Sequence, residues 1–158
     1  MKRNILILTV IALMLCLTAC GNRIYPDLPE DPISFEMGVY LDPDDPDDAG
    51  YGTLEYEGRT YIVYGTLGKT LHKKDIDQCI GYIVMDENSS SVTDPDDKNT
   101  RVYTLADDPE HNYLMEYDSI FMNIPSFWRA MDTQGKNIAD PAYIDSLKYF
   151  YWESPPAE

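Results

Sequence analysis

Beyond residue 32 the apolar positions recur mainly with a period of two. Phe35, Met37, Val39 and Leu41 share one parity across Ile33 to Leu41, which predicts a strand with one buried face. Two prolines and five aspartates between Asp42 and Gly50 end it. Thr53 to Tyr56 and Thr60 to Tyr64 are rich in β-branched and aromatic residues. They flank Glu57-Gly58-Arg59, where Gly58 supplies the positive φ of a three-residue hairpin turn. Ile80 to Met85 predicts a strongly apolar strand, entered through one helical turn over Asp75 to Cys79. Arg101 to Leu105 and Asn112 to Tyr117 predict a second antiparallel pair around the acidic turn Asp107-Asp108-Pro109-Glu110, and Ile120 to Ile124 extends the sheet. Helical spacing enters late. Pro125 precedes Ser126 to Asp132, where Phe127, Ala130 and Met131 share a face. Asp140-Pro141 then sets an N-cap and first turn for a stripe of Tyr143, Ile144, Leu147 and Phe150. The expected class is α+β: mainly antiparallel sheet, with curling into a small barrel left open, and two or three short helices.

The N-terminus follows a different pattern. Lys2 and Arg3 precede an apolar run from Ile5 to Leu17, broken only by Thr9. This run is shorter than the ~20 residues needed to span a bilayer. Leu17-Thr18-Ala19-Cys20 resembles the lipobox of bacterial lipoproteins. The resemblance implies that residues 1–19 are a signal peptide cut away, and that Cys20 carries a diacylglyceryl group on sulfur. The chain would then be lipid-anchored at the extracytoplasmic face of the cell membrane. An ordinary signal peptide cleaved near Ala19, or an uncleaved anchor, is the alternative. Residues 20–32, with Pro26, Pro29 and Pro32, read as a flexible tether, 33–153 as one globular domain and 154–158 as a frayed tail. Tyr64-Gly65-Thr66-Leu67, Ala106-Asp107-Asp108-Pro109 and the stretch from Arg129 to Lys136 are similar to small uncharacterised lipoproteins of Gram-positive gut bacteria, a resemblance that implies no activity.

Charge narrows the partners. The signal segment holds two of the 12 Lys and Arg and none of the 28 Asp and Glu, so the mature chain carries a formal charge of −18. Phosphate backbones and anionic lipid surfaces repel such a chain, which argues against nucleic acid and leaves attachment to the lipid on Cys20. Of three cysteines, Cys16 leaves with the signal and Cys20 is consumed by lipid, so Cys79 is the remaining thiol and no intramolecular disulfide forms. Thirteen Tyr, four Phe and two Trp supply the core instead.

Candidate chemistry is sparse. The Asp42 to Asp48 loop offers oxygen ligands of the kind calcium prefers. Set against the EF-hand spacing from Asp45, however, it matches only at Asp47 and Gly50, with Ala49 and Tyr56 at ligand positions. Cys79 with His72 or His111 is the minimum kit for a cysteine-dependent hydrolase, but Ile76, Cys79 and Ile80 place the sulfur on an apolar face. His111 stands near Asp107, Asp108 and Glu110, a carboxylate-heavy set that suits zinc poorly. Lys69, His72, Lys73 and Lys74 form a local positive island. Tyr61, Ile62, Val63 and Tyr64 are apolar on both parities. Either both faces of that hairpin are covered, or one shows aromatics, with Trp128 and Trp152, to a peptide, glycan or protein partner. No cofactor, metal or catalytic motif is indicated. The expectation is a non-enzymatic binding module, with a Cys79 hydrolase and a calcium-dependent structural domain as alternatives.

Overall fold

A computed structural model describes residues 25–43, 50–66, 71–84, 98–118 and 125–141. Its strands are β1 (Ile33–Glu36), β2 (Gly38–Tyr40), β3 (Tyr51–Tyr56), β4 (Arg59–Thr66), β5 (Ile76–Val84), β6 (Thr100–Leu105), β7 (Tyr113–Asp118) and β8 (Ser126–Ala130). Two short 3-10 turns, Lys73–Asp75 and Met131–Thr133, are the helical elements among the described residues. The β3–β4 turn is tighter than the three-residue turn expected. Tyr56 pairs with Arg59, leaving Glu57 (φ 50°) and Gly58 (φ 75°) as a two-residue loop with two left-handed residues. In the β6–β7 turn, the Asp108 carboxylate accepts from the Tyr113 amide (2.7 Å) and from Asn112 Nδ2 (3.2 Å), so a side chain satisfies donors the loop leaves unpaired.

The strands form one sheet in the order β1-β5-β6-β7-β8-β4-β3-β2. Its two ends are neighbours in sequence, with only Met37 between β1 and β2. A single extended run therefore pairs with β5 through its first half and with β3 through its second, and the sheet is a nearly closed barrel. Counting that run once leaves an odd number of staves. Such a ring cannot alternate direction all the way round, so one pair must be parallel. That pair is β1 with β5, and every other ladder is antiparallel.

Two buried clusters lie on opposite parities. Phe35, Leu54, Tyr61, Ile83, Val102, Leu114 and Trp128 come from seven different strands and meet inside the barrel. Tyr64, Cys79, Tyr103, Tyr113, Met115 and Phe127 lie on the outer face of β4 to β8, where Tyr25, Leu71, Leu28 and Ile138 cover them. Both faces of these strands are thus removed from water, each fully buried large apolar side chain contributing about 1.5–3 kcal/mol.

The α+β expectation is overturned: 53% of the described residues are in strands and 7% in helical turns. Ser126 to Asp132 is mostly β8, hydrogen-bonded on both edges. Phe127 packs outward while Trp128 and Ala130 pack inward, so a strand buried on two faces mimics helical spacing. Asp75 to Cys79 is mostly β5. Register shifts between Ile76 and Cys79 and between Cys79 and Gly81 put a three-residue step between positions on one face, which a helix would also give. The strand expected at Ile120 to Ile124, the C-terminal helix beyond Pro141, the tail, Trp152, Lys69 and the whole signal and lipidation segment including Cys20 lie outside the described residues.

Candidate functional site

The strand that closes the barrel leaves it with its inward parity uncovered. Phe35 is 2% exposed, whereas Met37, Val39 and Leu41 on the same parity are 50%, 70% and 62% exposed. Across from this row stand Gly50 and Gly52. A Cβ at Gly50 would lie 2.7 Å from Val39 Cγ1 and 3.0 Å from Leu41 Cδ2, and one at Gly52 3.3 Å from the Trp128 ring and 3.6 Å from Met37 Sδ. Missing side chains on these glycines let the aliphatic row lie close to backbone at the barrel mouth. Behind it, Trp128 Nε1 donates to Glu116 Oε2 at 2.9 Å. Burial raises the Glu116 carboxyl above the ordinary carboxylate range, against the opposing pull of that hydrogen bond.

On the other side of the same run, β1 and β3 diverge around a cleft of about 450 Å³ lined by Ser34, Glu36, Gly38, Thr53 and Glu55 among others. Gly38 leaves room for the Thr53 hydroxyl opposite it, since a Cβ there would meet Thr53 Oγ1 at 2.5 Å. The electrostatics are one-sided. From Ile24 to Gly58 the chain has eleven Asp and Glu and no Lys or Arg.

A second concentration of polar groups is structural. Tyr64 Oη donates to Asp140 Oδ2 at 2.7 Å and Tyr113 Oη donates to Oδ1. The Arg129 guanidinium lies over both rings (5.4 and 5.6 Å), 3.7 Å from Asp140, and its Nε donates to Thr133 Oγ1 at 2.9 Å. Burial and the bond to Asp140 push the Tyr113 phenol strongly upward. The clamp fastens the segment ending at Pro141 onto the outer face of the barrel. At the barrel's hairpin end Arg59 is held in the same manner, by Asp132 (2.7 Å) and the Glu110 and His111 carbonyls. Its proximity only partly offsets the burial that pushes Tyr61 to about 12.

The sequence-predicted residues do not converge. Cys79 is 4% exposed, beside Ile76 and Tyr103 in the outer cluster, with its thiol pushed up by burial and its Sγ 3.7 Å from the Gly81 carbonyl. His111 is on the β6–β7 turn, 3.1 Å from Glu57, and His72 caps an exposed 3-10 turn with Lys73 and Lys74. Neither histidine is among the groups bonded to the sulfur. Asp42 and Pro43 are described and the rest of the acidic loop is not. Among the described residues no group of three or more His, Cys, Asp or Glu is arranged to hold a metal ion. The suspected aromatic surface is absent at the hairpin: Tyr61, Ile62 and Tyr64 are fully buried and Trp128 is 2% exposed. The exposed row is aliphatic, and it comprises three of the four residues expected to be core in the first strand, Phe35 alone being buried. Two sequence signals bore on it: the basic-free stretch around β1 to β3, and glycines at alternate positions facing an apolar strand. No family model matches the chain, and neither a curated protein nor a solved structure matches it.

Proposed function

We propose that the chain is a lipid-anchored, extracytoplasmic, non-enzymatic binding module whose working surface is the lip formed by Met37, Val39 and Leu41. One observation carries this: among the described residues, where the other large apolar side chains are mostly buried, three successive inward-parity residues of the closing run stand 50% to 70% exposed. Water-exposed apolar area of that kind on a small domain is characteristic of contact surfaces. The lipid anchor rests on the resemblance at Leu17-Thr18-Ala19-Cys20, and it gives the module a fixed address where a partner is met in two dimensions.

The test is site-specific photo-crosslinking in the native membrane, with the reactive group at residue 39 and, separately, at exposed Lys74 on the far 3-10 turn. A discrete adduct from residue 39 and none from residue 74 is the expected result. Equal, diffuse labelling from both positions would overturn the reading.

A further inference from the structure

We infer that the surface met by this lip is the bilayer that holds the chain: Met37, Val39 and Leu41 seat in the neutral headgroup layer beside the anchor. The inference rests on the lipid-anchored reading above and names the lip's partner as lipid. Three observations lead to it.

The first is the length of the leash. Tyr25 is buried, edge-on to Tyr103 and Tyr117 at 5.7 and 4.7 Å, and its Oη donates to the Leu71 carbonyl at 3.4 Å. Asp27 stands 3.5 Å from Arg101. The chain is therefore docked on the barrel from Tyr25 onward, and Tyr25 is five residues on from Cys20. Whatever path those residues take, they span at most about 18 Å. The headgroup layer takes up roughly 5–8 Å of this on each leaflet. The docking point of Tyr25 is thus held beside the membrane surface.

The second is which end of the barrel that docking point occupies. Arg101 pairs with Tyr82, and Tyr82 with Ser34. The Asp27 contact therefore lies two strand spacings, roughly 10 Å, from the closing run, and at a level three residues short of Met37. β2 and β7 end, and β3 and β6 begin, at this same rim, whereas Lys74 precedes the start of β5 at the other. Leash and lip leave the barrel together, so a short leash turns the lip toward the bilayer. Tyr51 and Tyr117, both half-buried, stand at this rim, and tyrosine is enriched at the level of lipid headgroups.

The third is the chemistry of the row. Met37, Val39 and Leu41 are 50%, 70% and 62% exposed, and contact through these side chains leaves every backbone pairing of the run in place. No Lys or Arg occurs from Ile24 to Gly58, and Glu36 and Asp42 flank the row. Anionic headgroups are repelled by such a rim, so the contact is apolar and its surface zwitterionic. Three partly buried side chains bind a bilayer weakly on their own. Anchoring in the same membrane raises their effective concentration there, so the contact is made only while the leash holds.

The measurement uses the full chain purified with its anchor and reconstituted in phosphatidylcholine vesicles, some carrying nitroxide on their headgroups. An environment-sensitive fluorophore is attached at Val39→Cys or, separately, at Lys74→Cys; Cys79 is buried and stays unlabelled. Residue 39 should be quenched and residue 74 not. A ten-residue Gly-Ser insertion after Arg23 should lower the equilibrium constant for contact about fivefold, by the −3/2 power of leash length. Met37→Ser with Leu41→Ser should abolish the quenching with an unchanged near-UV circular dichroism spectrum, because both side chains are at least half exposed. Replacing part of the phosphatidylcholine by an anionic lipid should weaken it. Equal quenching at both positions, or none at residue 39 while the protein stays with the vesicles, would overturn the inference. A signal at residue 39 that grows with the protein-to-lipid ratio would overturn it in favour of a second copy. A chain that does not stay with the vesicles at all would remove the anchor, and this inference with it. In cells the discrete adduct from residue 39 should be a phospholipid; a protein adduct there would leave the binding-module reading standing and remove this one.

Discussion

Gly81 lies directly under the Ile33 carbonyl: a Cβ at residue 81 would sit 2.1 Å from that oxygen and 2.8 Å from its carbon. The contact is with backbone, so no rotamer relieves it. It falls in the one parallel ladder, where Ile33 pairs with Gly81, and thus at the point where the ring closes. Gly81→Ala should destabilise the fold by about 1–3 kcal/mol through forced separation of β1 from β5, read as a lower denaturant midpoint. Gly58→Ala, which meets nothing within 4 Å and strains only a left-handed φ of 75°, should cost about 1 kcal/mol. Equal effects would show that the seam yields easily.

Asp140 gathers two phenols and a guanidinium. Removing it leaves a largely buried Arg129 and two buried hydroxyls without that acceptor. Asp140→Ala should cost about 2–4 kcal/mol in urea unfolding, more than Tyr113→Phe, which removes one donor. A midpoint equal to the parent's would mean the segment ending at Pro141 is not held by this clamp.

Glu116 should make stability fall with rising pH. Its folded carboxyl binds a proton more tightly than the unfolded one, so the folded state is favoured while that proton is present. This advantage is lost as pH climbs from the ordinary carboxylate range through the raised folded value. Glu116→Gln removes the titration and keeps an acceptor for Trp128 Nε1. The variant's melting temperature should approach the parent's in acid and exceed it near neutrality. A difference independent of pH would show that the carboxylate is well solvated.

Cys79 should be inert in the folded chain. In a Cys16→Ala, Cys20→Ala background its thiol should react with an aromatic disulfide reagent only at the rate of unfolding, since burial both blocks access and disfavours the thiolate. Rapid reaction in native buffer would restore the hydrolase alternative.

Cys20→Ala should release the protein from membranes without changing its melting temperature, because the described core is built from Tyr25 onward and the lipid acts on attachment. Firm retention after washing would remove the lipid anchor from the proposed function.

Periodicity alone determined the strand content of the hairpins. The alternation in Thr53 to Tyr56 and Thr60 to Tyr64, the turn residues Glu57 and Gly58, and the acidic turn between β6 and β7 are local, and local sterics decide them. The charge of the chain and its three cysteines were likewise legible without any fold, and the address that the resemblance at Cys20 implies is a sequence-based proposal to which the fold adds nothing. Burial was not. Phe127 and Trp128 read as helix because covering a strand on both faces erases its period of two, and Cys79 read as helical because bulges shift parity; only the neighbouring strands and the covering segment with Tyr25 make those patterns intelligible. The reverse error befell Met37, Val39 and Leu41. Their alternation was correctly a strand's, but which face of a strand meets water depends on what lies opposite. That was settled when one short run was shared between two ends of a sheet and its second half passed the rim of the barrel.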